Sequence, residues 1–239
     1  MTDWGAVIDA TWPAAARANV GPWVIRDGRG GGNRASAATA FGPVDAGAVA
    51  QAARAMRDLG QEAVFMVRDG EDALDALLAE AGCFTRDATI IRACPTADLT
   101  TRPVPPVTAF TVWPPLAAQR DIWAAGHIGP ARLAVMDRAT APKTTIFGRI
   151  DDRPAGTLFV AMHGHTAMLH ALEVAPDHRR KGLAQHLTRA AARWAQRHGA
   201  TQFSLLVTAT NAGANALYAG LGLEEVGRYH YRVLPEDQP

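Results

Sequence analysis

The sequence is poor in cysteine and has almost no excess of charge. Its 239 residues include only Cys83 and Cys94, too few for a metal cluster and unlike the disulfide framework of a secreted protein. The formal net charge of +1 argues against a general nucleic-acid or membrane-surface role, because those roles usually need a strong basic excess. Any anion-binding site must therefore be local.

Long apolar runs are also missing. No stretch reaches the roughly 18 apolar residues of a membrane span, and residues 1–20 lack a basic segment followed by an apolar run. We therefore expect a soluble protein without a targeting segment, in a reduced cytoplasmic setting. The apolar content of 48% is ordinary for a globular protein that buries a sizeable core, as one large or two small domains.

A proline-rich stretch, residues 95–106 (PTADLTTRPVPP), is predicted as a linker because proline removes backbone donors. Before it, the patterns predict helices at residues 4–19, 46–59 and 73–81, and strands at residues 23–26, 34–39, 63–67 and 88–93. Residues 27–33 (DGRGGGN) are interpreted as a flexible glycine-rich turn between two strands, with phosphate binding as the alternative.

The pattern resumes after the linker. It predicts a strand at residues 107–113, helical sequence through residue 137, and helices at residues 183–198 and 212–221. Further strands are predicted at residues 144–150, 155–163, 168–174, 202–207 and 227–233. Consecutive strands followed by alternating helix and strand indicate a mixed α/β (or α+β) fold with a largely antiparallel sheet flanked by helices.

The two halves of the sequence resemble each other. Sliding the chain by 140 positions aligns residues 63–93 with residues 203–233 without a gap, and the order of predicted elements agrees. Chance agreement between two alanine-rich segments is the alternative. We interpret the chain as two similar units in tandem.

Residues 172–184 (LEVAPDHRRKGLA) carry the most informative local pattern. A strand ends at a proline, passes through a basic loop with a glycine, and enters a long amphipathic helix. The first turn of a helix has unpaired backbone N–H groups and the positive end of the helix dipole, and glycine lets a phosphate approach the backbone. The pattern therefore predicts an anion site, although it matches neither a Walker loop nor a GxGxxG fingerprint.

Two motifs resemble those of the GNAT superfamily of acyl-CoA N-acetyltransferases. Residues 179–184 (RRKGLA) fit its pyrophosphate loop, [RQ]-x-x-G-x-[GA]. Residues 211–223 (NAGANALYAGLGL) resemble its second signature, N-x-x-A-x-x-L-Y-x-x-L-G-F, with Leu223 in place of phenylalanine. The resemblance implies two GNAT-like units in tandem, a degenerate one at residues 1–101 and an active one at residues 102–239.

The resemblance also implies a site for acetyl-CoA as acyl donor. The pantetheine arm is expected between the strands at residues 168–174 and 202–207, bonded by backbone groups of Leu172 and Val174. Asn211 is expected to contact the pantetheine arm, and Tyr218 to act as the general acid that protonates the departing thiolate, with simple core packing on an amphipathic helix as the alternative for Tyr218. The pyrophosphate is expected on the amides of Arg179, Arg180, Lys181, Gly182, Leu183 and Ala184.

A base must take a proton from the attacking amine, and Glu173 and His170 are the candidates. Because they differ by three positions on a strand, we expect them on opposite faces of the sheet. Glu173 is the preferred candidate, although it could simply bond at the sheet surface, and His170 could be a buried, satisfied imidazole. His163 and His165 lack neighbouring ligands, so no metal site is expected.

The implied function is N-acetyltransfer from acetyl-CoA to a primary amine by direct attack in a ternary complex. No acidic patch marks a polycationic acceptor and the near-neutral charge favours no acceptor class strongly, so a small-molecule acceptor is weakly preferred. Neither nucleic acid nor membrane is expected as a partner, and a homo-oligomer is left open. A non-catalytic acyl-CoA sensor and a protein N-terminal or lysine acetyltransferase are the alternatives. We further expect the degenerate unit to shape the acceptor pocket.

Overall fold

The computed structural model describes residues 2–236, whose strands form two sheets. The smaller sheet is antiparallel and contains β1 (Ala16–Val20), β2 (Trp23–Asp27) and β3 (Thr39–Ala40), in that order. The strands of the larger sheet are β4 (Ala63–Arg68), β5 (Phe84–Pro95), β6 (Ala109–Val112), β7 (Lys143–Ile150), β8 (Arg153–His163), β9 (Thr166–Val174), β10 (Gln202–Thr208) and β11 (Glu224–Leu234). Its order is β4-β11-β5-β10-β9-β8-β7-β6, and the described β9–β10 pair is parallel within an otherwise antiparallel sheet.

Helices cover both faces of the larger sheet. They are α1 (Trp4–Thr11), α2 (Asn33–Ser36), α3 (Ala46–Asp58), α4 (Asp72–Glu80), α5 (Thr96–Thr100), α6 (Ala117–Ala125), α7 (Pro130–Arg138), α8 (Leu183–Arg197) and α9 (Ala212–Gly220). The predicted mixed α/β fold is thus confirmed. Across residues 2–236, every helix is too short or too polar to cross a membrane.

The offset of 140 positions is a real structural repeat. It carries α4 onto α9 with identical bounds, and it carries β4 and β5 onto β10 and β11 within one or two residues. The two units exchange their last strands, because β11 pairs with β4 and β5 pairs with β10. The exchange is symmetric: the pair Ala63–Leu234 maps onto the observed pair Phe203–Cys94.

Each exchanged strand is fixed by an arginine. Arg232 of β11 donates to Asp75 of α4 from Nε at 2.7 Å, and Arg92 of β5 donates to Asn215 of α9 from Nε at 3.3 Å. The offset carries Arg92 onto Arg232 and Asp75 onto Asn215. The sheet therefore runs without interruption across the predicted boundary after residue 101, and that boundary stays a prediction.

Three local predictions are wrong. The helix at residues 4–19 ends at Thr11, because Pro13 cannot continue it, and β1 follows. The strand at residues 34–39 is replaced by α2 and the short β3, because Gly32 turns the chain at a φ of 89°. Part of the predicted linker is α5, whose Leu99 is buried with α8.

The glycine-rich stretch at residues 27–33 is a packed connection between β2 and α2 rather than a flexible turn between strands. A Cβ added to Gly31 would lie 2.5 Å from Cγ2 of Val135 in α7, and one added to Gly30 would lie 3.3 Å from Cβ of Ala131. Glycine is required here because α7 approaches the backbone this closely. The first unit thereby contacts a helix of the second.

Two helical layers define the surroundings of β9. On one face, α8 places Leu183 and Leu187 over β7 and β8, where Gly148 and Gly156 leave room for them. On the other face, α1, α6 and α7 contribute to a core around Phe159. We call these the α8 face and the α6 face of the sheet.

Candidate active site

A cleft of about 1120 Å³ opens where β9 and β10 diverge. The two strands pair from Gln202–Thr166 to Leu205–Leu169, and no further pairing between them follows within residues 2–236. The divergence leaves the last residues of both strands to line the cleft. The predicted site residues in its lining are Leu172, Glu173, Val174, Arg179, Arg180, Gly182, Leu183, Ala184, Asn211 and Tyr218.

Lys181 is the predicted residue whose side chain lies elsewhere. It lines a separate hollow of about 350 Å³ together with Asp151 and Asp152 at the β7–β8 turn. The prediction for Lys181 concerned its backbone amide, which remains in the loop. Its side chain does not add charge to the lining of the cleft.

The loop before α8 presents a row of free backbone donors. Within residues 2–236, the N–H groups of residues 180–185 have no hydrogen-bond partner, and the first helical bond runs from His186 N to Gly182 O at 3.3 Å. Gly182 has a φ of 81°, and α8 has no side-chain cap. Such a row of amides at the positive end of a helix dipole binds anions, and the open space beside Gly182 admits a pyrophosphate.

The equivalent helix of the first unit has lost this capacity. The offset puts Gly42 opposite Gly182, but Pro43 follows it and has no N–H group. Asp45 caps α3 by accepting a bond from Ala48 N at 2.7 Å, so a carboxylate of the protein already occupies the helix terminus. The three basic residues of the second loop have no basic counterpart, which agrees with a degenerate first unit.

A bulge in β9 redirects the two candidate bases. Glu173 pairs with Thr157, and His170 pairs with Phe159. The two β9 residues are three positions apart, but their partners on β8 are only two positions apart. Ala171 adopts a φ of 52° at this irregularity. Because Thr157 and Phe159 share a face, Glu173 and His170 also share one, and the prediction of opposite faces is wrong.

His170 is buried and fully bonded on the α6 face. Its Nδ1 lies 3.0 Å from Nη1 of Arg34, which can only donate, so Nε2 carries the proton and donates to Oγ1 of Thr11 at 2.9 Å. Thr11 in turn donates to Val7 O at 2.7 Å. Burial, together with the charge of Arg34, holds the pKa of His170 well below its usual value. His170 is therefore a satisfied neutral imidazole and has no free nitrogen with which to accept a substrate proton.

Glu173 is held by an ion pair at the edge of the cleft. Its Oε1 accepts a bond from Nη2 of Arg179 at 3.0 Å, and Nε of Arg179 donates to Val174 O at 2.9 Å. A Cβ at Gly126 would lie 2.7 Å from the Glu173 carboxyl group, so the end of α6 packs closely against this side chain. The Arg179 side chain therefore orients Glu173. The backbone N–H of Arg179, predicted to hold the pyrophosphate, already donates to Pro176 O at 3.2 Å, so the free amides begin at Arg180.

Tyr218 and Asn211 lie on α9, across the cleft from β9. Tyr218 is buried in the core of the α8 face, and burial raises the pKa of its hydroxyl to about 12. Within residues 2–236 this hydroxyl has no hydrogen-bond partner, which leaves it a proton to donate into the cleft. Asn211 caps α9, because its Oδ1 accepts a bond from Ala214 N at 3.0 Å, and its amide nitrogen remains a donor.

Among the lining residues that were not predicted, three come from segments outside the two motifs and their strands. Arg34 and Thr89 come from the first unit, and Arg132 comes from α7. They reach the cleft through the packing of the glycine-rich connection on α7 and through the exchange of β5. Neither contact leaves a local signal in the sequence, so these residues could not have been found from it.

The fold and the cleft define a mixed α/β protein with a row of loop amides beside two diverging strands. Residues 112–223 match the family model described as "Acetyltransferase (GNAT) family", and the resemblance to the GNAT superfamily is thereby confirmed. A curated protein of Bacillus subtilis (strain 168), "Uncharacterized N-acetyltransferase YobR", is 34% identical over 65 residues. That match spans 27% of this chain and 26% of the relative, about a quarter of each.

Solved structures share the whole fold. A GCN5-related N-acetyltransferase from Kribbella flavida superposes with a TM-score of 0.72 at 21% identity, covering 96% of this chain and 93% of that one. A tandem GNAT protein from the clavulanic acid biosynthesis pathway superposes with a TM-score of 0.61 at 16% identity, covering 96% and 87%. At these identities the likeness concerns the fold alone.

Proposed function

We propose that the protein is an N-acetyltransferase that transfers the acetyl group of acetyl-CoA to a primary amine of a small molecule. The observation that carries the proposal is the row of six free amides at residues 180–185 beside two diverging strands. Transfer occurs by direct attack in a ternary complex, in which positioning of the amine against the thioester supplies most of the rate. Acetyl-CoA supplies the activated acyl group.

The donor is held from the α8 face. The loop amides and the dipole of α8 bind the pyrophosphate, and free backbone groups of β9 near Leu172 bond the pantetheine arm as an added strand. The amide nitrogen of Asn211 donates to the same arm. The cleft has a volume of about 1120 Å³, which is at the upper end of the range of small-molecule sites.

Two residues move protons in this proposal. Glu173 points to the α6 face, where the acceptor enters, and takes a proton from the ammonium group directly or through one water. Tyr218 protonates the departing thiolate, for which a phenol that is still protonated at neutral pH is suited. Arg179 acts as a positioning residue by holding the Glu173 carboxylate.

The first unit contributes to the acceptor pocket rather than to the donor site. Arg34 and Thr89 line the cleft, while the terminus of α3 is closed by the carboxylate of Asp45. This arrangement agrees with the expectation that ligand sites lie between units. A non-catalytic acyl-CoA sensor is the second candidate, since a retained cleft does not by itself prove turnover.

The test is the release of CoA from acetyl-CoA in the presence of a panel of primary amines, with Tyr218→Phe as the variant. We expect kcat to fall by about 10² or more, with the Kd for acetyl-CoA within about twofold of the wild type. Tyr229→Phe is the matched control, because Tyr229 is equally buried but lies outside the cleft lining. Binding of acetyl-CoA without turnover of any amine would favour the sensor instead.

A further inference from the structure

The α6 side of the cleft carries positive charge that the proposed transfer does not use. Four arginines line the cleft, and among the described residues Glu173 is the one acidic side chain in its lining. Arg179 is paired with Glu173, and Arg180 belongs to the loop that takes the pyrophosphate. Arg34 and Arg132 remain, and their helices α2 and α7 contribute Ala35, Val135 and Met136 to the core around Phe159, on the α6 face.

Arg34 is held in place, and among the described residues some of its N–H donors have no hydrogen-bond partner. Its Nη1 is bonded to His170, and its Cζ lies 5.8 Å from the centre of the Trp12 ring, so the guanidinium cannot swing freely. Within residues 2–236, Nε is buried without a hydrogen-bond partner, and Nη2 also has none. A buried donor without a partner costs free energy, and that cost is recovered when a ligand accepts from it.

Arg132 lies beside the same segment of the first unit. A Cβ on Gly32 would be 3.7 Å from both Nε and Nη2 of Arg132, and Gly32 is two residues before Arg34. The one polar contact of Arg132 among the described residues is a long one, 3.5 Å from Nη1 to His127 O. Two guanidinium groups thus border one cavity without an acid of their own, and a planar oxyanion is the group that they bind best.

We propose that the acceptor is an amine that also carries a carboxylate, as a free amino acid does. Arg34 and Arg132 bind the carboxylate, and this orients the amino group toward Glu173 on the same face. The inference rests on the proposed function for the fate of the amine, but recognition of the carboxylate is a matter of binding alone. The pyrophosphate of the donor does not compete, because its amides lie at the α8 end of the cleft.

The test compares matched ligands on the complex of the protein with CoA. Isothermal titration measures binding of the common L-amino acids, each paired with the corresponding amine that lacks the carboxylate, such as phenylalanine with phenethylamine. We expect at least one amino acid to bind about tenfold or more tighter than its amine, as one or two charge-assisted bonds predict. Equal binding within every pair, or no binding of any amino acid, would overturn the proposal.

Two variants test whether Arg34 and Arg132 are the residues that bind the carboxylate. Arg132→Gln changes an exposed side chain, and Arg34→Gln removes the guanidinium while keeping a polar side chain. Each should weaken the preferred amino acid about tenfold and leave its matched amine and CoA unchanged. Arg54→Gln, an exposed change on α3 outside the cleft, is the control. An unchanged preference in both cleft variants would contradict the assignment.

The outcome separates the two proposals. If amines without a carboxylate are acetylated as fast as amino acids, the acetyltransferase stands and the carboxylate site fails. If amino acids bind through Arg34 and Arg132 but no CoA is released, the carboxylate site stands and the acetyltransferase fails.

Discussion

At the scale of single residues, burial sets the protonation states around the cleft. Tyr218 and His170 are both buried, but Tyr218 turns an unbonded hydroxyl to the cleft, whereas both nitrogens of His170 are occupied. The Tyr218 hydroxyl can therefore donate a proton to a ligand, whereas His170 has no nitrogen free to exchange a proton with one. Among the candidate bases this leaves Glu173, which the bulge at Ala171 turns to the same face.

The neutral state of His170 predicts a pH dependence of stability. The pKa of His170 in the folded protein is well below 6.5, so below that pH the unfolded chain binds a proton that the folded protein does not. The free energy of unfolding should therefore fall as the pH drops, by about 1.4 kcal/mol per pH unit for this one proton.

Replacing His170 by Gln should remove that slope. Urea unfolding at pH 8, 6 and 5 should show a shallower loss of stability in His170→Gln than in the wild type, while His163→Gln, an exposed change, keeps the wild-type slope. An equal slope in His170→Gln and the wild type would show that His170 binds its proton as readily in the folded protein as in the unfolded chain.

At the scale of elements, the N-termini of three helices differ in how they are capped. The α3 terminus is closed by Asp45, the α9 terminus is closed by Asn211, and the α8 terminus is left without a side-chain cap. Leaving a helix terminus uncapped forgoes about 1 kcal/mol of stability. That loss is recovered when an anion binds there.

Asn211 has two separable roles, a cap for α9 and a donor to the pantetheine arm. Asn211→Ala should lower the free energy of unfolding by about 1 kcal/mol, and Asn211→Ser should restore most of it, because serine also caps helices. Both variants should weaken acetyl-CoA binding, since neither has the amide nitrogen. Chemical denaturation and calorimetry measure the two effects separately, and normal binding by Asn211→Ser would contradict the donor role.

Elements with strong local patterns could be predicted from the sequence, and those shaped by distant contacts could not. The motifs predicted α8, α9 and the anion loop because their glycine, basic and apolar residues lie at fixed spacing. The bulge at Ala171 was not predicted, because it shifts the register of β9 and no residue type in the sequence marks it. The helix α2 escaped as well, because its conformation depends on the packing of the glycine-rich connection on α7.

At the scale of the whole molecule, the two units are joined by the exchange of their last strands, in addition to the segment that connects them. The offset of 140 positions predicted the repeat, but it could not predict which unit each last strand joins. Strand β11 has both of its neighbours in the first unit, and β10 has β5 as one of its neighbours. The arginines of the exchanged strands bind helices of the other unit.

The strand exchange predicts that the second unit does not fold stably as an isolated fragment. A fragment of residues 102–239 would leave β11 without its described neighbours and expose one edge of β10, with the apolar side chains of both. We expect such a fragment to be unfolded, aggregated or associated, by circular dichroism and size-exclusion chromatography. A monomeric fragment with a cooperative unfolding transition would show that the exchanged strands are dispensable.

The central claim is that the loop before α8 binds the pyrophosphate of acetyl-CoA, and isothermal titration tests it most directly. We predict a micromolar Kd for the wild type, weakened about 100-fold or more in Gly182→Glu, which adds bulk and negative charge to the row of amides. Gly199→Glu is the matched control, because Gly199 has a φ of 88° at the other end of α8 and open space around it. Absence of acetyl-CoA binding by the wild type, or an equal loss in Gly199→Glu, would contradict the account.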